Sequence, residues 1–449
     1  MLLQPARRAV LFSLLALSLS GCDRSPSSSS PVLETEALRL TSATSSDIIA
    51  YLAAPQQANY LTITDFDHNG FSDVAFVSHG GNQACIHFQM GKRQWAQGPA
   101  ITEVGFHPGE LLSLPTDGDQ ARYLLFAEGS GSLRVMSLTR QGGLRAEFDL
   151  PVYSPRSGTL FRWPDWGLGV AVGPFSKSSI FLFKHFTSSG KGDVQGVEIP
   201  FTPAIARIEG VIAADLDADQ VDEILFAQPL DNTVKMIRYP GAEGQPKVEN
   251  LWSFEPGGRA RFVVPGDVDQ DGDLDLLIPD ETEPVGSVTS VNILINQGRQ
   301  GWRHTPIIFP SRTRAEKGQT GIRGFAFGID KDGVGYALAA GYERLVLFAI
   351  PAGWDYTTPA SHSLPLTSKK LLITDAELKD VDGDGLLDAV MATGAGGLVI
   401  YGPLWQHFEL IEKDDLLAKS APQDTTPVES SEAEHPSDNP NPGSSVKPD

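Results

Sequence analysis

One acidic pattern recurs four times in this chain, and an apolar run follows each copy at once. The pattern is Asp-x-Asp-x-(Asp/Asn)-Gly-x-x-(Asp/Glu), with Gln in place of Gly in one copy. The copies begin at Asp65, Asp215, Asp267 and Asp380, and each loop is named here by its first residue. The intervals between them are close to three, one and two times about fifty residues, which indicates a repeated unit with some copies degraded.

Weaker turn clusters occupy the positions where copies are missing. They are Thr116–Asp119, Pro164–Gly167 and Asp330–Gly333, and each lacks part of the acidic set. Seven units of about fifty residues result.

Each unit repeats the same order of short apolar strands after its turn. A first strand is expected at Val74–Val77, Tyr123–Phe126, Gly169–Val172, Ile224–Ala227, Leu274–Ile278, Tyr336–Ala339 and Ala389–Ala392. A second is expected at Cys85–Phe88, Leu133–Met136, Ile180–Phe183, Val234–Ile237, Val291–Ile295, Leu345–Phe348 and Leu398–Tyr401. Even spacing of such strands, without long helical periodicity, predicts an all-β fold, a β-propeller of seven blades with four antiparallel strands each. The closing blade is expected to borrow Ala37–Thr41, because pairing the first and last segments removes open sheet edges.

The acidic loops have the composition of a cation site. Alternate residues direct oxygen atoms to one side of a tight loop, the Gly can adopt a positive φ, and the ninth residue returns a carboxylate to the same centre, which suits a hard divalent cation such as calcium. Such clusters are also good turn formers, so each loop has that alternative. The candidate ligands are Asp65, Asp67, Asn69, Asp73, Asp215, Asp217, Asp219, Glu223, Asp267, Asp269, Asp271, Asp275, Asp380, Asp382, Asp384 and Asp388. In the Asp215 loop Gln220 replaces the Gly, so its backbone must enter the left-handed region or loosen the cage, and cation binding there is left open.

With these loops set between consecutive strands, residues 58–415 resemble the FG-GAP or VCBS repeat, which the integrin α-subunit propeller shares with many bacterial secreted proteins. The resemblance implies Ca²⁺ bound at the rim of the propeller by the matching loops, and a role in adhesion or recognition. Related propellers also resemble the scaffold of some polysaccharide lyases.

The N-terminus has the layout of an export signal. Two arginines precede an apolar stretch over Ala9–Leu19, which is too short for a stable membrane span. Leu19 to Cys22 resembles a bacterial lipobox, so residues 1–21 are predicted to be a lipoprotein signal peptide, with Cys22 acylated and anchored in membrane lipid. Asp23 resembles a signal for retention at the inner membrane, but the choice between the periplasmic face of the inner membrane and the outer membrane is left open.

The predicted domain is flanked by polar segments. Residues 22–36 form a Ser/Pro-rich tether, 37–417 the propeller, and 418–449 an acidic Pro/Ser-rich tail that is expected to be disordered because it cannot bury a core. Without Cys22, only Cys85 remains, so no intramolecular disulfide is expected.

Charge and motifs narrow the function. The net charge is −21, and without a basic stripe binding of nucleic acid is not expected. No nucleophile elbow, zinc-protease helix, phosphate-binding loop or dinucleotide fingerprint occurs in the sequence. The sequence therefore predicts a membrane-anchored, non-enzymatic binding or scaffold module of the bacterial cell envelope that recognises a protein or glycan. The alternative is a carbohydrate-active enzyme such as a polysaccharide lyase, which needs a base and an Arg or Lys converging on the channel or one face.

Overall fold

A computed structural model describes residues 47–414, apart from 55–56, 116–120, 187–193, 203–207, 243, 255–259, 280–289, 309–321, 342–343 and 367–371. The predicted signal peptide, Cys22, the tether, the segment Ala37–Thr41 and the acidic tail lie outside the described residues. Their boundaries stay predictions.

Seven four-stranded antiparallel sheets form the fold, and they confirm the predicted seven-bladed propeller. Blade 1 is β2 (Tyr60–Thr64), β3 (Asp73–Ser78), β4 (Gln83–His87) and β7 (Ala100–Glu103). Blade 2 is β8 (Pro108–Leu114), β9 (Arg122–Ala127), β10 (Ser132–Leu138) and β11 (Leu144–Pro151). Blade 3 is β12 (Pro155–Trp163), β13 (Gly167–Pro174), β14 (Ser179–Lys184) and β15 (Gln195–Pro200). Blade 4 is β16 (Glu209–Ala214), β17 (Glu223–Gln228), β18 (Thr233–Ile237) and β19 (Glu249–Ser253).

The remaining blades follow the same order. Blade 5 is β20 (Val264–Gly266), β21 (Asp275–Pro279), β22 (Ser290–Asn296) and β23 (Trp302–Ile308). Blade 6 is β24 (Ile322–Ile329), β25 (Gly335–Gly341), β26 (Arg344–Ile350) and β27 (Ala360–Pro365). Blade 7 is β28 (Ile373–Lys379), β29 (Asp388–Thr393), β30 (Gly396–Ile400) and β1 (Ile49–Ala53). A short 3₁₀ helix spans Gly298–Gln300, and a two-stranded hairpin, β5 (Gln89–Gly91) and β6 (Gln94–Trp95), leaves blade 1 after its third strand.

The apolar runs that follow the acidic loops are the second strands of their blades, and the next apolar runs are the third strands. In β3, β17, β21 and β29 every residue is buried, since both faces of each strand pack against neighbouring blades. The first strands of neighbouring blades contact one another around the axis, whereas fourth strands such as β11 are largely exposed. The core therefore lies between the blades.

The ring closes through the N-terminal strand, but not through the segment that the sequence predicted. β1 pairs with β30 in register from Ile49 opposite Ile400 to Ala53 opposite Gly396. The expectation for Ala37–Thr41 is therefore wrong. The reason is packing: Ile49 and Tyr51 enter the core shared by blades 6 and 7, while Ala50 and Leu52 enter the core shared by blades 7 and 1.

One helix was not foreseen. α1 (Leu404–Asp414) follows β30, and Leu404, Phe408 and Ile411 pack against the core of blades 6 and 7. These apolar residues recur at helical spacing, so one face of the helix is buried. Across the described part of the chain, no helix has the length and apolar character needed to span a membrane.

Candidate metal centres on one face of the propeller

All four acidic loops connect the first strand of a blade to its second, in blades 1, 4, 5 and 7. Because the first strands occupy equivalent places around the axis, these loops emerge on the same face of the ring, which we call the loop face. The turns between second and third strands lie on the opposite face.

The four loops share one backbone conformation. The N–H of the sixth residue donates to the carboxylate of the first Asp in every loop, over 2.9, 2.8, 3.1 and 2.8 Å in chain order. The fourth residue has a positive φ in each loop: His68 (61°), Ala218 (59°), Gln270 (61°) and Gly383 (76°). The sixth residue does so as well: Gly70 (90°), Gln220 (71°), Gly272 (102°) and Gly385 (82°).

In the Asp215 loop, which lacks the Gly, the backbone at the sixth residue enters the left-handed region and the cage is not loosened. Gln220 takes the left-handed conformation at φ 71° and donates its N–H to Asp215 Oδ2 at 2.8 Å. The cage keeps its shape, at a strain of roughly 1 kcal/mol for a residue with a Cβ in this region.

The ninth residue ties each loop to the body of its blade. Its carboxylate accepts the N–H of the second residue of the loop over 2.7, 3.0, 2.7 and 2.8 Å in chain order. In three loops the other oxygen accepts an N–H from the last residue of the third strand or from the second residue after it: Gln89 to Asp73, Asn296 to Asp275, and Gly402 to Asp388, at 2.8, 2.8 and 2.7 Å. In the Asp215 loop, Glu223 Oε1 instead lies 3.8 Å from Arg238 Nε.

In three of the loops the carboxyl group of the ninth residue is fully buried, and its pKa is raised. Asp73, Asp275 and Asp388 have no exposed surface, and burial raises the pKa of each carboxyl to about 7. Neighbouring carboxylates of the same loop raise these pKa values further. A buried carboxylate beside like charges is stabilised by positive charge, so the Asp65, Asp267 and Asp380 loops favour a cation.

Part of each predicted ligand set converges. Three carboxylates lie with one oxygen each within 4.8 Å of one another in every loop: Asp65, Asp67 and Asp73; Asp215, Asp217 and Glu223; Asp267, Asp269 and Asp271; Asp380, Asp382 and Asp388. These four acidic clusters could bind a metal ion.

The other predicted ligands are not in these triads. Asn69 Nδ2 donates to Gln89 O at 2.8 Å, and the Asn69 side-chain oxygen accepts the N–H of Phe71 at 2.8 Å. Asp219 accepts the N–H of Val221 at 2.8 Å. Asp275 is held by its two backbone bonds, and Asp384 faces basic side chains.

Blade 1 supplies those basic side chains to the Asp380 loop. Arg93, on the hairpin of blade 1, donates from Nε to Asp382 Oδ2 at 2.5 Å and from Nη2 to Asp384 Oδ2 at 3.3 Å. Its guanidinium lies 4.5 Å from the ring centre of Tyr401, and Lys92 Nζ is 3.4 Å from Asp384. The Asp380 loop therefore already has a positively charged partner at its third and fifth positions.

The Asp267 loop has a neutral neighbour instead. Tyr356, from the loop after the third strand of blade 6, donates its hydroxyl to Asp269 Oδ2 at 2.9 Å. Oδ1 of Asp267 and Oδ1 of Asp269 are buried without a hydrogen-bond partner among the described residues. Two buried carboxylate oxygens without a hydrogen-bond partner would be stabilised by a bound cation.

Sequence reasoning missed Arg93 and Tyr356. Arg93 is 289 residues from Asp382 in sequence, and Tyr356 is 87 residues from Asp269. The available signal was positional, since both residues follow the third strand of the blade after the loop they contact. Tyr239 of blade 4 repeats this arrangement by donating its hydroxyl to Asp165 in the turn of blade 3.

The degraded unit of blade 6 behaves as a turn. Asp330 Oδ1 accepts the N–H groups of Asp332 and Val334 at 2.9 Å each, so this carboxylate closes its own turn. The described part of the blade 6 turn contributes no carboxylate cluster. The turn Thr116–Asp119 of blade 2 lies outside the described residues.

Acidic residues also occur on the first strand of blade 7. Burial raises the pKa of Asp375 to about 6 and that of Glu377 to about 7, and the nearby Asp375 charge adds to the shift of Glu377. Asp375 Oδ2 accepts the N–H of Leu61 from blade 1 at 3.0 Å. Lys379 Nζ donates to Ile63 O at 2.8 Å, so this strand is bonded to the backbone of the adjacent blade.

Comparison with protein families agrees with the repeat assignment over part of the chain. A family model described as an FG-GAP-like repeat matches residues 215–278, which include the whole Asp215 and Asp267 loops. Sqt1 of Saccharomyces cerevisiae is similar over 77% of this chain and 96% of its own, at 10% identity and a TM-score of 0.49. The periplasmic gluconolactonase PpgL of Pseudomonas aeruginosa is similar over 77% of this chain and 89% of its own, at 14% identity and a TM-score of 0.49. No curated protein matches the sequence.

Proposed function

We propose that this protein is a calcium-binding propeller that serves as a non-enzymatic binding or scaffold module, anchored through acylated Cys22 in the bacterial cell envelope. The observation that carries the proposal is the set of four carboxylate triads on the loop face. The FG-GAP-like match over residues 215–278 supports it.

The choice of calcium rests on ligand chemistry. The converging side chains offer only oxygen atoms, which are the ligands of hard cations. Mg²⁺ demands near-ideal octahedral geometry and gives up its water reluctantly, whereas Ca²⁺ accepts six to eight oxygens in flexible arrangements. Backbone carbonyls and water complete such a shell around three carboxylates.

The proposed role of the ion is to clamp the blades. Each loop joins the two inner strands of a blade, and its ninth residue also bonds to the end of the third strand in three of the four blades. In the Asp65 and Asp380 loops this residue belongs to the carboxylate triad, so an ion held by it and by the first and third residues links those segments. In the Asp267 loop the triad is Asp267, Asp269 and Asp271, so the ion clamps the loop itself. Extracellular calcium modules bind at about 10⁻⁴–10⁻³ M, which fits a protein exported to the envelope.

The attachment of the tether supports an anchored display. Asp47, the first described residue, precedes β1, and Ile49 is paired with Ile400 at the loop-face end of β30. Arg93 Nη1 donates to Asp47 O at 2.6 Å, so the start of the described chain is held beside the Asp380 loop. The 25 residues from Cys22 to Asp47 reach at most about 85 Å, which lets the propeller meet a protein or glycan partner away from the lipid surface.

The polysaccharide lyase alternative has weaker support. Asp375 and Glu377, the two acids of β28 with raised pKa values, lie on a strand that is bonded to blade 1. Asp375 accepts the N–H of Leu61, and Lys379 of the same strand donates to Ile63 O. These bonds suit a role in joining blades 7 and 1. We therefore favour the binding module.

Calcium binding is tested directly by equilibrium dialysis of the full chain against radioactive Ca²⁺. We expect several ions per protein in the millimolar range, and fewer after Asp269→Ala. Asp332→Ala, in the degraded turn of blade 6, is the matched control and should leave the stoichiometry unchanged. Absence of binding, or equal binding by both variants, would contradict the proposal.

A further inference from the structure

Three metal-ligating side chains converge on the face opposite the acidic loops. His79 follows the second strand of blade 1, Glu128 follows the second strand of blade 2, and His107 lies in the connection between the two blades. One ring nitrogen of each histidine and one carboxylate oxygen of Glu128 lie within 4.8 Å of one another. This cluster, which we call the blade 1–2 cluster, has no residue in common with the acidic loops.

A hydrogen bond fixes the tautomer of His79. His79 Nδ1 lies 3.0 Å from Pro108 O, and a carbonyl oxygen can only accept, so Nδ1 carries the proton. The lone pair is therefore on Nε2, which faces Glu128 Oε2 at 4.0 Å. A backbone carbonyl that sets the tautomer in this way is a common second partner of metal-binding histidines. The N–H of His79 also donates to Asn59 Oδ1 at 2.9 Å.

The second histidine is held in an unusual backbone conformation. His107 has φ 48°, in the left-handed region that few residues with a Cβ adopt. Its N–H donates to Asn82 Oδ1 at 3.0 Å, and the N–H of Gly129, beside Glu128, lies 3.1 Å from Phe106 O and 3.4 Å from His107 O. The ring centres of His79 and His107 are 4.6 Å apart. Strained residues of this kind often occur at functional sites, because the surrounding structure must hold them there.

The ligand set differs in kind from that of the acidic loops. Two imidazoles and one carboxylate suit Zn²⁺ and related transition metals, whereas Ca²⁺ prefers oxygen ligands alone. We infer that His79, His107 and Glu128 form a binding site for a transition-metal dication of the Zn²⁺ class.

The distances are compatible with such an ion after a small adjustment. Metal–ligand bonds of about 2.0–2.1 Å in a tetrahedral site place ligand atoms about 3.4 Å apart. The 4.0 Å between His79 Nε2 and Glu128 Oε2 must therefore shorten by roughly half an ångström. Side-chain rotation is sufficient, because the His79 side chain is 22% exposed.

Arg156 limits the affinity. Its Nη1 lies 3.7 Å from Glu128 Oε2, its Nε donates to Tyr60 OH at 3.1 Å, and its guanidinium lies 4.2 Å from the ring centre of Phe175. The guanidinium orients the Glu128 carboxylate but repels a second cation. The site therefore binds more weakly than a structural zinc site with four ligands.

An open depression of the surface adjoins the cluster at Glu128. The depression has a volume of about 590 Å³ and is lined by Glu128, by Gly129–Gly131 and by Pro151–Ser154. Three protein ligands leave at least one coordination position for water or a small anion, as in catalytic rather than structural zinc sites. The exposed side chain of Tyr153 lies on the same depression.

The test is a titration of the full chain, purified without a polyhistidine tag, with Co²⁺ and then Zn²⁺ in millimolar Ca²⁺. Calcium fills the acidic loops, and Co²⁺ bound by nitrogen and oxygen ligands in a low-coordinate site gives visible absorption bands. We expect one Co²⁺ per chain, displaced by one Zn²⁺. His107→Ala and Glu128→Gln should each weaken binding at least about tenfold, since even indirect partners of a metal contribute that much.

His304→Ala is the matched control, because His304 lies on the fourth strand of blade 5, and it should leave the Co²⁺ affinity unchanged. Glu128→Gln keeps the size of the side chain, so it remains informative if His107→Ala fails to fold. Co²⁺ affinities that are the same in the wild type and in Glu128→Gln would overturn the site. So would absorption of six-coordinate Co²⁺ alone, which would indicate adventitious surface binding.

Discussion

Arg93 is predicted to share its role at the seam of the ring with the calcium of the Asp380 loop. It extends from blade 1 to Asp382 and Asp384 of blade 7, and the Asp382 side chain has no exposed surface. Arg93→Met keeps most of the apolar contact with Tyr401 but removes the positive charge. Asp382 is then a buried carboxylate without its ion pair.

The size of the effect follows from burial. Removing one partner of a fully buried ion pair costs about 3–5 kcal/mol. The Arg93 side chain is 22% exposed, so we expect a loss of about 2–3 kcal/mol in the free energy of unfolding without calcium. With saturating Ca²⁺, the ion supplies the missing charge, and the loss should fall to about 1 kcal/mol or less.

Urea unfolding followed by tryptophan fluorescence, in chelator and in millimolar Ca²⁺, measures both values. Arg145→Met is the matched control, because Arg145 forms a surface pair with Glu147 and is 65% exposed. It should change the free energy of unfolding by less than about 0.5 kcal/mol in either condition. Equal losses for Arg93→Met with and without calcium would refute the idea that arginine and ion neutralise the same carboxylates.

Three further predictions concern other parts of the molecule. Burial lowers the pKa of His87 from 6.5 to about 4, so between these pH values only the unfolded chain takes up this proton. His87 should therefore lower the free energy of unfolding by up to about 3 kcal/mol as pH falls. His87→Phe should remove this contribution to the pH dependence of unfolding, and an identical pH dependence in the variant would contradict the prediction. Gly158→Ala would place a Cβ 2.2 Å from Ala171 O, so it should cost about 1–3 kcal/mol in the same assay, whereas Gly80→Ala, with no atom within 4 Å, should be nearly neutral. Cys22→Ser should abolish labelling by palmitate and release the protein from the membrane fraction, and undiminished labelling would disprove lipidation.

The sequence was sufficient for the repeat because its signals are local. The acidic loops and the apolar strands after them lie within about thirty residues of each other, so their period and register could be counted. The positive φ at Gln220 was one of two conformations that the missing Gly allowed. The turn Asp330–Gly333 kept its place in the repeat without the full ligand set.

Features that depend on distant contacts were not predictable in the same way. The closing strand Ile49–Ala53 is defined by the two interblade cores it fills, and its sequence alone did not distinguish it from Ala37–Thr41. In the sequence Arg93 is one residue of a short turn, and its bond to Asp382 exists only because blades 1 and 7 are neighbours in the closed ring. The three residues of the blade 1–2 cluster come together only because the turns of two neighbouring blades lie on one face.

The most direct test of the calcium clamp is the melting temperature of the full chain in chelator and in millimolar Ca²⁺. Ion at a hundredfold excess over its Kd adds about 2.7 kcal/mol for each site that binds only the folded state, so the melting temperature should rise with Ca²⁺. Asp67→Ala combined with Asp269→Ala should reduce this rise, whereas Asp332→Ala should not. A wild-type melting temperature that is the same in chelator and in calcium would contradict the clamp and would mean that the acidic loops are only turns.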